Sequence, residues 1–184
     1  MTETASGEAE RAAGEDDGDD YGGVFGAYPY AFRRSDSRLF RAYAILGGLL
    51  ALFLAFGFGL ALVVQVANTL GGPGGSFTFS RALFILVGLL VVAPVMAPVL
   101  FVARHHRRVG DDVRYDRLLA GSGFLFVFTV YLAVVATTPA DQQEAPPAAI
   151  APAVEFLYAL PWWAGLLFPT AAAVGMVLLH RAIR

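Results

Sequence analysis

His105, His106 and His180 are the side chains in this sequence best suited to chemistry, because imidazole serves both as a metal or haem ligand and as a general acid or base. The first two follow the second of four long apolar runs and His180 ends the fourth, so a haem or metal held between facing helices is the chemistry to weigh. Two features argue against it. Neighbouring side chains on a helix diverge by about 100°, and Arg104, Arg107 and Arg108 beside the pair would repel a cation. No metal, haem or other cofactor is therefore expected.

The remaining charged residues point no more strongly to a reaction. Arg81 and Glu155 stand at the ends of apolar runs, where an ion pair or snorkelling side chains explain them better than an ion pathway does. The segment from Arg104 to Arg117 holds five Arg, three Asp and two His. Such a loop can attract anionic headgroups, a nucleotide or an acidic partner, but helix caps and local Asp–Arg pairs account for the same composition. Inside the apolar runs the polar residues are Gln65, Ser122, Thr129, Thr170 and some Tyr and Trp. Proton-coupled transport and intramembrane hydrolysis need ionisable groups at depth, and none lies there. The chain has no cysteine, which excludes disulfides and thiolate sites built from it alone. No catalytic, cofactor-binding or metal-ligating residue is assigned, and enzymatic activity is not expected.

The elements that must position these residues follow from hydropathy. The 184 residues are 57% hydrophobic and 15% charged, with a mean hydropathy of +0.61, and the charges are gathered into short stretches that leave long uncharged runs. Ala42 to Ala67 is one such run; at 1.5 Å per residue it extends about 39 Å, more than the roughly 30 Å of a hydrocarbon core. Ala82 to Ala103 is the second, Leu118 to Ala136 the third, and a fourth span of about 154–180 contains Trp162, Trp163, Pro161 and Pro169. The expected fold is an all-α integral membrane four-helix bundle.

Local signals place the joints. Ser35-Asp36-Ser37 offers caps for the first long helix, Asn68 to Gly75 is a turn, Gly110 is a helix stop, and Asp111 or Asp112 caps the third helix. Thr137 to Pro147 is a polar, proline-rich connection. Pro94 and Pro98 remove two backbone donors from the second helix and lie four residues apart on one face. That helix is expected to bend and to sit centrally, with Ser122, Thr129 and Thr170 of the later spans available to the freed carbonyls. Because helix association in lipid depends on close packing, Gly47, Gly48, Gly57, Gly59, Gly121, Gly123, Gly165, Ala171, Ala172 and Gly175 mark expected contact faces.

Residues 1–20 hold eight acidic groups against Arg11 and almost no large apolar side chains, so a disordered acidic tail is expected. Residues 21–41 form an aromatic and basic juxtamembrane segment in which Pro29 and several glycines argue against a regular helix. This stretch either lies along the membrane interface or packs on the bundle. The helical membrane domain then covers 42–184. Outside the acidic tail, eleven Arg fall before the first run, between the second and third, or after the fourth, whereas Arg81 is on the opposite side. Short Arg-rich loops stay cytoplasmic, so a multi-pass cell-membrane protein with cytoplasmic N- and C-termini is expected.

Gly23-Val-Phe-Gly-Ala-Tyr-Pro-Tyr-Ala-Phe-Arg-Arg-Ser-Asp-Ser-Arg-Leu-Phe-Arg41, with Gly75-Ser-Phe-Thr-Phe-Ser-Arg81, resembles an uncharacterised family of small four-span membrane proteins from halophilic archaea. The resemblance covers everything after the acidic tail and implies a lineage but no activity. A non-catalytic component is expected, acting through helix–helix contacts with itself or a larger membrane complex. The alternative is a small transporter or channel subunit that forms a pore as an oligomer. The expected surroundings are the lipid bilayer, with a possible homo-oligomer or larger complex and no nucleic-acid partner.

Overall fold

The computed structural model of the chain describes residues 23–70, 76–161 and 163–183, and the expected acidic tail at 1–20 lies outside them. Among the described residues every regular element is helical. The order is α1 (Gly23–Arg34), α2 (Arg38–Leu70), α3 (Ser76–Arg108), α4 (Val113–Ala136), a 3-10 turn (Ala140–Gln142), α5 (Ala151–Tyr158), a second 3-10 turn (Ala164–Leu166) and α6 (Leu167–Ile183). Four stretches are long and apolar enough to cross a membrane: Arg38–Asn68, Arg81–Arg108, Val113–Ala136 and Ala164–Ile183.

Two expectations about where helices run are corrected. Residues Gly23–Arg34 form a helix in spite of Pro29. A single interior proline removes one intrahelical donor, and here Ala27 and Ala31, one turn apart, are buried under α3 and α2, so tertiary packing outweighs weak intrinsic propensity. The fourth apolar stretch is not one continuous helix over 154–180. α5 stops at Tyr158, a turn carries the chain past Pro161, and the apolar helix restarts at Ala164. Pro161 has no N–H and its ring clashes with the preceding turn, so it breaks the helix here; Pro169, in the first turn of α6, is tolerated because donors there have no intrahelical acceptor.

The capping signals act as read. Gly110 has φ 112° and follows α3, a conformation that suits glycine. Asp112 is the cap of α4, its Oδ1 accepting from the backbone N–H groups of Arg114 (2.8 Å) and Tyr115 (3.2 Å). Ser37 Oγ accepts from Phe40 N–H at 3.2 Å and starts α2. α2 runs on through Asn68 to Leu70, and the expected turn at Gly71 to Gly75 lies outside the described residues.

Packing concentrates toward one end. Phe40, Tyr43, Val99, Val102, Tyr115 and Leu119 are fully buried with the alanines of α1, while Ala51, Val95, Phe126 and Met176 form a second core further along. Beyond these, α2 and the first half of α3 expose large apolar side chains such as Phe53, Phe56, Leu86 and Leu90.

α3 continues helical through both prolines, and Pro98 with Val95 and Val99 is buried. Tyr43 Oη of α2 donates to the Val95 carbonyl, in the turn before Pro98, at 2.6 Å; the carbonyls that lose a helical donor to Pro94 and Pro98 are those of Leu90 and Pro94. The partners expected for those carbonyls are corrected. Ser122, Thr129 and Thr170 donate instead to the carbonyls of Leu119, Phe126 and Leu166, one turn back along the chain, at 2.7–2.8 Å. A short hydroxyl side chain on a helix reaches its own preceding turn more readily than a neighbouring helix.

The glycines divide into two groups. The Tyr43 ring fills the space into which a side chain on Gly123 would project, Gly165 abuts the Ala133 carbonyl and Ala136, and Gly48 meets the Tyr28 ring. Gly57, Gly59, Gly121 and Gly175 have open space in front of them. Close helix contact within the chain therefore uses only some of the expected positions.

Candidate functional site

The most polar part of the interior is a layer where the end of α1, the start of α2, the end of α3, the start of α4 and the end of α6 meet. Asp116 is its centre. It stands one turn after the Asp112 cap, and its backbone N–H bonds the Asp112 carbonyl at 3.0 Å. Asp116, Leu119, Ala120, Gly123 and Phe126 are buried at three- and four-residue spacing, so the carboxylate lies on the inward stripe of α4.

Two groups satisfy that carboxylate. Ser35 Oγ donates to Oδ2, and His106 Nε2 lies 2.9 Å from Oδ1. Ser35 and Ser37 are fully buried in the link between α1 and α2. Ser35 Oγ also accepts from Ser37 N–H at 3.2 Å, and Arg41 Nε donates to the Ser35 carbonyl at 2.8 Å. The ring of His106 is buried on its other edge by Asp111, whose Oδ1 is 3.3 Å from Nδ1 without hydrogen-bonding geometry.

His105, one residue earlier, points elsewhere, as helical geometry requires. Its ring stacks on Tyr115 with centroids 3.9 Å apart. Tyr115 Oη is 2.5 Å from His180 Nδ1, and His180 in turn stacks on Phe101 at 4.2 Å. Two neighbouring residues of α3, His105 and His106, thus face two neighbouring residues of α4, Tyr115 and Asp116. All three histidines lie in this layer, yet they do not converge. Among the described residues no group of three or more His, Asp or Glu is arranged to hold a metal ion.

The profile of a family described as a domain of unknown function, DUF8056, matches residues 1–184. The chain belongs to the DUF8056 family. No curated protein and no solved structure matches it.

In this DUF8056 chain, Ser, His and Asp come together in an order that does not activate the serine. Nucleophilic catalysis needs the imidazole on the hydroxyl and the carboxylate behind it. Here the carboxylate sits between, taking the Ser35 proton donor on one oxygen and His106 on the other. The arrangement can brace three segments against one another, with Ser35 Oγ, both Asp116 carboxylate oxygens and His106 Nε2 partnered, while His106 Nδ1 makes no hydrogen bond.

Sequence reasoning named the histidines, the caps and the Arg104 to Arg117 segment, but it did not single out Asp116, Ser35, Tyr115 or Tyr43 as partners. A signal for Asp116 was present, since it is an acidic residue in register with the apolar stripe that continues through Leu119 and Gly123. For Tyr43 no such signal existed, because its acceptor is a backbone carbonyl 52 residues away. Arg81 and Glu155 are both exposed, on α3 and α5.

Proposed function

We propose that the protein is a four-span membrane protein with both termini on the cytoplasmic side that acts as a non-catalytic component, through helix contacts with further copies or with a larger membrane complex. The observation that carries this reading is an outward-facing groove of about 640 Å³ between α4 and α6. Ala171, Ala172 and Gly175 line it on α6, Ser122 and Thr129 on α4. Small side chains along a helix permit close approach of another helix in lipid, where burial of apolar surface contributes little to association.

The polar layer supports the same reading from the other side, because its side chains bond one another. The Arg-rich segments around it support the orientation, since short loops with many Arg stay on the cytoplasmic face.

Extraction in mild detergent, followed by native mass spectrometry and identification of co-purifying proteins, tests the proposal. Ala171→Leu with Gly175→Leu, both at exposed positions, should remove bound copies or partners without lowering the unfolding temperature. A wild-type protein that elutes as a bare monomer, alone at every detergent concentration, would defeat it.

A further inference from the structure

A second groove runs along the other face of the molecule, between α1, α2 and α3. It has two connected parts of about 480 and 760 Å³ that share Tyr28 and Ile45. The mouth is formed by Pro29, Phe32 and Arg33 of α1. The deeper part follows α2 past Gly48, Leu52 and Ala55, with Val92 and Met96 of α3 as the opposite wall. From Ile45 to Ala55 the helix rises about 15 Å, so the groove is an apolar channel with Arg33 exposed beside its mouth.

The charge at the mouth distinguishes this groove from an ordinary lipid-facing surface. Arg33 is exposed and has no hydrogen-bond or ion-pair partner among the described residues. Its neighbour Arg41 is already engaged by the Ser35 carbonyl and lies 3.7 Å from Asp36. Burial pushes the Tyr28 phenol up to about 12, so the ring that joins the two parts of the groove stays neutral and does not repel an anion. Ala55 keeps the floor low beyond the Tyr28 ring, which fills the space above Gly48.

We infer that this groove binds one anionic phospholipid, with an acyl or alkyl chain lying along α2 and the headgroup phosphate on the Arg33 guanidinium. An unpaired guanidinium presents several donors to a phosphate, and charge-assisted bonds of this kind are roughly twice as strong as neutral ones. A zwitterionic lipid offers the same chain but brings a cation to the same end. The inference rests on the membrane reading above.

Fractionation of cells separates the two proposals before any lipid is added, because a protein found in the soluble fraction overturns the membrane reading itself. For protein extracted from the membrane fraction, delipidation and titration with phosphatidylglycerol or phosphatidylcholine of matched chains, read by native mass spectrometry, tests the lipid site. The expected result is one phosphatidylglycerol per chain, bound about tenfold more tightly than phosphatidylcholine, a ratio worth about 1.4 kcal/mol. Arg33→Gln, at an exposed residue without a partner among the described residues, should abolish that preference and leave the fold intact. Ala55→Phe, at a partly exposed position on the groove floor, should weaken both lipids together. Equal binding of the two lipids by wild type, an undiminished preference in Arg33→Gln, or a second protein chain in place of lipid would overturn the inference.

Discussion

Asp116 shows how one side chain can tie together segments distant in sequence. It is a buried carboxylate that accepts from Ser35, 81 residues away, and meets His106 on the helix before it. Removing it strands a hydroxyl donor and an imidazole nitrogen in the interior, and each unsatisfied buried polar group costs about 1–3 kcal/mol. Asp116→Ala should therefore lower the unfolding temperature clearly in detergent, followed by circular dichroism. Asp116→Asn keeps an acceptor oxygen for Ser35 and should do less harm, and Ser35→Ala, which removes only one donor, less still. If Asp116→Ala melted at the wild-type temperature, the layer would not be bracing the helices.

Between elements, the decisive contacts are those that set how closely the long helices approach. Tyr43 of α2 is wedged between the bare backbone of Gly123 on α4 and the Val95 carbonyl on α3, with Phe124 edge-on to its ring at 5.0 Å. A side chain at position 123 must displace a fully buried ring, and such overpacking costs about 1–3 kcal/mol. Gly121, two residues earlier on the same helix, faces open space. Gly123→Ala should destabilise the protein and Gly121→Ala should be neutral or mildly stabilising, since alanine favours a helix by about 1 kcal/mol over glycine. Equal melting temperatures for the two variants would show that the α2–α4 contact is not close-packed. Tyr43→Phe tests the other half of the wedge, because it leaves the ring in place while taking the donor away from Val95; a modest loss of stability is expected.

Among the described residues the molecule gathers its buried polar side chains at the Arg-rich end and exposes apolar side chains over much of its long helices. The proposed orientation puts that end in the cytoplasm, and the absence of cysteine makes it simple to test. Val109 is exposed in the link between α3 and α4, and it is a better position for a probe than Gly110, whose positive φ a cysteine would strain. Gln143 is exposed in the link between α4 and α5. An impermeant thiol reagent applied to intact cells should label Gln143→Cys and reach Val109→Cys only after the membrane is opened. The reverse pattern would invert the topology.

Helix length and apolar content are local properties, so the sequence by itself determined four long apolar helices, the caps at Ser37 and Asp112 and the stop at Gly110. Family membership was legible in the same way, since it resides in the residues and not in their arrangement. What the sequence did not reveal was which face of each helix points inward. The four long stretches are apolar nearly all round, so beyond the register of Asp116 with Leu119 and Gly123 no periodicity announces the partner of Tyr43, Asp116 or His180. The helix at Gly23–Arg34 and the break before Ala164 belong to the same class, because a proline can be carried within a helix or end it, and the packing around it decides which. Only the tertiary structure settled these, because rotation and depth of one helix against another depend on the fit of side chains brought together from distant parts of the chain.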